Sequence, residues 1–87
     1  MLFEFDIKKS RLNKIKHGID FNKAQLIWDG PFVEFTAKSE YENRYAVIGP
    51  VNKLLHTCIF TLRGQQIRII SCRRSRRQEK EIYEKFV

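Results

Sequence analysis

Seven cations crowd one stretch of this 87-residue chain: Arg63, Arg68, Arg73, Arg74, Arg76, Arg77 and Lys80. Glu79 is the only acid between the first and last of them. Tyr83 follows it at i,i+4 spacing, which turns both side chains toward one side of a helix. A guanidinium forks two phosphate oxygens in a geometry that lysine cannot copy, and grouped cations set up a field that gathers phosphates. The ligand expected from this stretch is anionic.

The elements that must position these groups follow from pattern. Residues 66–73 are rich in β-branched side chains, follow the Arg63-Gly64 turn signal and run into a basic helix. That helix is expected to open near Ser75, where Ser75 and Gln78 have the S-x-x-Q spacing of a capping box. Arg73 then stands where the strand leaves the sheet, beside the positive end of the helix. Residues 32–36, 44–49 and 54–61 read as three more strands, joined by a polar loop over 37–43 and a turn over 50–52, so the four make an antiparallel meander. The chain opens with a short edge strand over 2–5. A first helix, 7–17, is capped by Asp6 and stopped by Gly18; a second is capped by Asp20 and ended by Asp29-Gly30-Pro31. Their stripes, Ile7, Leu12, Ile15 and Phe21, Ala24, Ile27, Trp28, predict an apolar lid over the sheet.

Register decides which side chains share a face. With Leu62 opposite Gln65, one face carries Leu54, His56, Cys58, Phe60, Ile67, Ile69 and Ser71 and belongs under the helices. The other carries Leu55, Thr57, Ile59, Thr61, Arg68, Ile70 and Cys72 and is at least partly open. Cys58 then lies opposite Ile69, about 10 Å from Cys72 along the ladder, so no disulfide is expected. His56 falls on the drier face, and His17 is explained by its place in the last turn of a helix.

Composition bounds the rest. The chain is one α+β domain, 1–87, near the size that buries only about 60% of its unfolded surface. Its 43% hydrophobic residues, four Gly and two Pro exclude a disordered segment. Seventeen Lys+Arg against ten Asp+Glu give a formal charge of +7, which suits nucleic acid, an acidic protein or an anionic membrane surface. No run approaches the roughly 18 apolar residues of a spanning helix. The start MLFEFDIKK lacks the basic opening and apolar core of a secretion signal, so a cytoplasmic protein with no membrane partner is expected. Two Cys and two His, at 58, 72, 17 and 56, lack zinc-site spacing, and neither metal nor cofactor is expected.

An ordered set of residues runs through the chain: Phe3-Glu4-Phe5-Asp6, Asn13-x-x-Lys16-His17-Gly18, Phe21, Glu42-x-Arg44, Ile48-Gly49, Thr61-x-Arg63-Gly64, Ile67-Arg68-Ile69-Ile70-Ser71-x-Arg73 and Glu79-x-x-x-Tyr83. It resembles the BrnT family of bacterial type II toxins from end to end. That resemblance implies a RelE-like fold, endoribonuclease activity that halts translation, and a neutralising BrnA-type antitoxin with a ribbon-helix-helix DNA-binding domain. DNA would then be met only through the antitoxin. The chain departs from the family pattern at Phe5, where Trp is usual, at Ile7, where a proline often opens the helix, and at Arg76, where Thr is usual. Three other functions suit the same arginines: a nucleic-acid-binding module without catalysis; a gyrase-directed toxin, since the wider RelE/ParE group implied by the resemblance shares one fold between ribonucleases and gyrase poisons; and an interaction protein whose charge holds an acidic partner.

RNA brings its own nucleophile, the 2′-hydroxyl. A nuclease then needs only to align the attack, stabilise added negative charge and move two protons. The candidate catalytic residues are Arg68 and Arg73 on phosphate oxygens, Glu79 orienting an arginine or acting as base, and Tyr83 donating to the leaving oxygen. Lys53, Arg63, Arg74, Arg76 and Arg77 are the candidate RNA-binding residues, and the mechanism is expected to be metal-independent. Each has a plainer reading: Arg68 paired with a neighbouring acid, Glu79 bracing Arg73 or Arg74, Tyr83 simply packed. Trp28, Phe32 and Phe35 are expected in the core rather than stacked on bases.

Overall fold

A computed structural model of the chain describes residues 2–40 and 42–87; Tyr41, within the polar loop expected over 37–43, lies outside the described residues. Among the described residues five strands form one sheet: β1 (Leu2–Glu4), β2 (Val33–Ala37), β3 (Arg44–Val51), β4 (Leu54–Arg63) and β5 (Gln66–Arg74), in the order β1-β5-β4-β3-β2. The last four run as the expected antiparallel meander, and β1 adds parallel to β5. Helix α1 (Ile7–His17), helix α2 (Phe21–Ala24) and a 3₁₀ turn (Gln25–Asp29) cover one face, and α3 (Arg77–Phe86) packs against β3 on the other. The layout is α+β, as the pattern predicted.

Local chemistry sets most boundaries. Asp6 caps α1 by accepting from the amides of Lys8 (2.8 Å) and Lys9 (3.2 Å), and Asp20 caps α2 through Lys23 (2.8 Å). Gly18, at φ 77°, stops α1 with its N–H on the Lys14 carbonyl, 2.8 Å away. Asn52 and Lys53 both take positive φ in the two-residue turn between β3 and β4, the conformation that matches strand twist.

The first helix reverses its expected orientation. Ile7, Leu12 and Ile15 are 62%, 63% and 83% exposed, while the buried residues are Ser10 and Asn13. Backbone hydrogen bonding explains the inversion. β1 pairs with β5 only as far as Arg68, so the outer edge of β5 has no strand beside Cys72. Asn13 fills that place: its Nδ2 donates to the carbonyls of Cys72 and Ile19, each 2.7 Å away, and its Oδ1 accepts from the Cys72 amide at 3.2 Å. Ser10 Oγ accepts from the Phe21 amide at 2.9 Å, so a polar stripe docks α1 and fixes the path into α2.

The apolar lid is made by the next segment instead. Phe21 and Ile27 are fully buried against Val47, Cys58, Phe60, Ile69 and Cys72. Trp28 meets Phe3 and Phe60 edge-on, with centroids 5.0 and 5.3 Å apart. Gly49 lets the 3₁₀ turn approach β3: a Cβ there would come within 2.9 Å of Ile27 Cγ2. Phe32 packs against the core, but Phe35, expected there, stays 37% exposed on the edge strand.

Register departs from expectation in two steps. Near the turn the pairs are Arg63 with Gln66, Leu62 with Ile67, Thr61 with Arg68 and Phe60 with Ile69. This is two residues from the expected pairing, so the faces keep their assignment. A bulge then follows: Ile59 pairs with Ser71, leaving Ile70 as the extra residue. Beyond it every β5 side chain changes sides. Cys72 enters the core directly opposite Cys58, correcting the expected 10 Å separation; both thiols are free and fully buried. Burial, and then contact with Cys72, pushes the Cys58 thiol well above its ordinary range. Ser71 moves to the α3 face, which corrects the second assignment.

The bulge also re-aims the arginines. Arg68 and Arg73, five apart, would point to opposite faces of a regular strand; here they share the α3 face, opposite Thr61 and Thr57. Arg73 is paired within β5 rather than leaving the sheet. The expected Ser75–Gln78 capping box also shifts by one residue: Arg76 is the N-cap and Glu79 accepts its amide at 2.7 Å. Ser75 is buried, its Oγ 2.8 Å from Thr57 Oγ1 and its amide donating to the Leu55 carbonyl at 2.9 Å.

Candidate functional site

On the α3 face the dominant contact is a fork. Arg73 donates from Nη1 to Glu79 Oε1 at 2.7 Å and from Nη2 to Oε2 at 2.8 Å, and Nη1 also reaches the Arg74 carbonyl at 3.2 Å. Burial by itself would raise the Glu79 carboxyl; the Arg73 fork, the Arg76 amide and a bond from Thr57 outweigh it and hold Glu79 below its ordinary 4.5. The same carboxylate raises the Arg73 guanidinium further. Glu79 is thus a carboxylate with both oxygens engaged, a brace for Arg73 that is not free to collect a proton. Tyr83 turns elsewhere, donating its hydroxyl to the Pro31 carbonyl at 2.9 Å and tying α3 to the approach to β2.

Arg68 lies further along the same face. Its Nη1 is 3.6 Å from Glu4 Oε1, and Arg63 Nε is 3.7 Å from the same oxygen, brought there because β1 places Glu4 beside Arg68. That oxygen is buried without a hydrogen bond, so the pairing is loose and the carboxylate offsets part of both cations. Lys53 sits exposed on the β3–β4 turn, Arg76 is exposed at the head of α3, and Arg77 pairs with Glu81 at 3.8 Å across one helical turn. The structure therefore brings Arg63, Arg68 and Arg73 onto one face and places Lys53, Arg76 and Arg77 on exposed ground around it.

Arg74 points the other way. It is the ladder partner of His56 at the end of the helix-side face, where the sheet opens into a cleft of about 400 Å³. Lys14 and His17 from the end of α1, Asp20 and Lys23 from α2, and Asn52 and Leu54 from the β3–β4 turn complete its walls. His56 is 7% exposed, with Nδ1 2.8 Å from the Leu54 carbonyl. A carbonyl only accepts, so Nδ1 carries a proton, and in the neutral ring Nε2 then keeps its lone pair. Burial pushes His56 below its ordinary 6.5; the Leu54 carbonyl partly restores it, and Arg74 lowers it again.

This cleft is what the sequence reading passed over. His56 does lie on the helix-side face, as its strand parity requires, but at the end of that face the helices stop short. Its pairing with Arg74 follows from the bulge at Ile70, which no residue type announces. The one available signal was the crowding of Lys14, His17 and Lys23 around the Gly18 stop, a cluster larger than helix-end electrostatics needs.

Among the described residues, no three His, Cys, Asp or Glu side chains converge where they could hold a metal ion, and no helix is long and apolar enough to cross a membrane. No curated protein matches the chain. Residues 5–79 match the model of the ribonuclease toxin, BrnT, of type II toxin-antitoxin systems, a description that carries an RNA target and a protein antitoxin. With that match spanning most of its length, the chain belongs to the BrnT family of ribonuclease toxins.

Proposed function

We propose that this protein is a metal-independent endoribonuclease that cuts RNA through the substrate's own 2′-hydroxyl and thereby stops translation in the cytoplasm. The observation that carries the reading is the Arg73–Glu79 fork: it holds one guanidinium in fixed orientation on the face that also presents Arg68. Arg68 and Arg73 contact phosphate oxygens, Glu79 positions Arg73, and Tyr83 fixes α3 in place through its bond to the Pro31 carbonyl. Lys53, Arg63, Arg74, Arg76 and Arg77 steer the strand. The 2′-oxygen bonds to phosphorus, the bond to the 5′-oxygen breaks, and the products are a 2′,3′-cyclic phosphate and a 5′-hydroxyl. Side-chain cations supply the positive charge that a bound metal would otherwise bring.

The element order is the one a RelE-like toxin would have, and the natural partner in this reading is a BrnA-type antitoxin with a ribbon-helix-helix domain. Incubation of the purified protein with an RNA oligonucleotide and its DNA counterpart, each with and without EDTA, tests the reaction. RNA alone should be cut, equally well in EDTA. Loss of cutting in EDTA overturns metal independence; no cutting, even with ribosomes present, leaves a binding module or a gyrase-directed toxin.

A further inference from the structure

Around Arg73, α3 supplies a brace and a donor but no free proton acceptor, because both Glu79 oxygens are engaged and Tyr83 donates its hydroxyl to the Pro31 carbonyl; the unbonded Glu4 oxygen lies further off, between Arg63 and Arg68. The opposite side of the strand end supplies one. In the cleft, His56 is a neutral imidazole whose Nδ1–H is spent on Leu54, while Nε2 makes no hydrogen bond among the described residues and is not sealed from the surface. Solvent in the cleft therefore reaches that lone pair. Around it stand Arg74 on β5, Lys14 and His17 on α1, and Lys23 on α2, against the single acid Asp20. No acid among the described residues ion-pairs with Lys14, Lys23 or Arg74 at salt-bridge distance. A volume of about 400 Å³ is at the small end of ligand sites and admits a ribose with its phosphate.

We propose that this cleft holds the phosphate to be cut, with Arg74, Lys14 and Lys23 on its non-bridging oxygens and His56 Nε2 as the catalytic group that accepts the 2′-hydroxyl proton. The inference rests on the ribonuclease reading and adds to it the site of the chemistry. As the 2′-oxygen bonds to phosphorus its proton passes to Nε2, the bond to the 5′-oxygen breaks, and that oxygen leaves as a hydroxyl with a proton from water in the cleft. Arg73 and Arg74, successive residues on opposite faces, let one strand of RNA pass around the end of β5, held by Arg68 and Arg73 on one side and cut on the other. Burial and Arg74 keep His56 neutral near pH 7, so the rate should fall as pH drops through the His56 pKa, below 6.5.

Two measurements test this. His56→Gln and Arg74→Ala are assayed on RNA across pH, after circular dichroism has shown each folded. His56→Gln should lose about 10²- to 10⁴-fold in kcat, with KM little changed and the acid limb of the profile gone; Arg74→Ala should chiefly raise KM. In parallel, the His56 ring nitrogens of the wild-type protein are followed by NMR as a 2′-O-methyl dinucleotide is added, where a shift and a raised His56 pKa are expected. An unchanged kcat and acid limb in folded His56→Gln overturn the proposal while the wild type's cutting keeps the ribonuclease reading. If that variant does not fold, unmoved His56 signals overturn it, and a wild type that cuts no RNA removes both readings.

Discussion

Arg73 and Arg74 are neighbours in sequence and opposites in circumstance. Arg73 closes on Glu79 with two short hydrogen bonds, a third to the Arg74 carbonyl, and a position on the sheet face that α3 covers in part. Arg74, one residue on, looks into a cleft lined by Lys14, His17, Asp20, Lys23 and His56, and among the described residues no carboxylate lies at ion-pair distance from it. The difference shows why a formal charge of +7 says little about how each cation can act: a guanidinium already forked on a carboxylate meets phosphate only in one fixed orientation, and an unpaired one can close on a ligand. Arg68 stands between the two, loosely shared with Glu4.

The wall of the cleft hangs on Asn13. Asn13→Ala leaves the amide and carbonyl of Cys72 and the carbonyl of Ile19 without partners, a loss of about 3 kcal/mol of stability. Hydrogen exchange should then speed up along α1 and leave α3 protected; equal loosening of both would mean that the two regions are one unit. Next in size, Arg73→Ala should cost about 2 kcal/mol in urea denaturation, because it strands a largely buried carboxylate. Arg74→Ala should stay within about 0.5 kcal/mol of the parent. Equal losses from both would erase the distinction.

Acid titration separates the same regions by where stability is lost. Glu79 has a folded pKa below its ordinary 4.5, so the folded state resists protonation and its contribution, full above 4.5, declines as pH falls toward the folded value. His56 is also depressed, below 6.5, so its contribution is full above 6.5 and declines at milder acidity. Urea midpoints measured from pH 8 to 3 should show both declines, with His56→Gln removing the first and Glu79→Gln the second. The smallest effect concerns salt. Arg74→Ala should reduce the slope of log affinity for single-stranded RNA against log salt by about 0.7, and Arg68→Ala by less, because Glu4 already offsets part of its charge.

Much of this architecture could be read from residue types, and the parts that could not have physical causes in common. Asp6, Gly18 and Asp20 announce helix boundaries because capping is a contact of two to four residues. The meander and the faces near the Arg63–Gln66 turn follow from alternation. The inward turn of Ser10 and Asn13 could not be read, because it answers a bare edge at Cys72, 59 residues from Asn13. The bulge at Ile70 also escaped, since β-branched residues fill bulged and regular positions alike. That one extra residue decides that Cys58 faces Cys72, that Arg68 and Arg73 share a side, and that His56 meets Arg74. Among the site residues, the brace of Glu79 on Arg73 was one of two readings open from sequence; the cleft depends on the bulge and was not visible.

The central claim is that the substrate's 2′-hydroxyl makes the cut. Its most direct test is an RNA oligonucleotide carrying a single 2′-O-methyl group at the nucleotide 5′ to a mapped cleavage site, compared with the unmodified strand in EDTA, with fragment ends weighed by mass spectrometry. The account predicts that the unmodified strand yields a 2′,3′-cyclic phosphate, or its hydrolysis product, and a 5′-hydroxyl, and that the single methyl abolishes cutting at that bond alone. Equal cleavage of the methylated bond, or fragments ending in a 3′-hydroxyl and a 5′-phosphate, would contradict it.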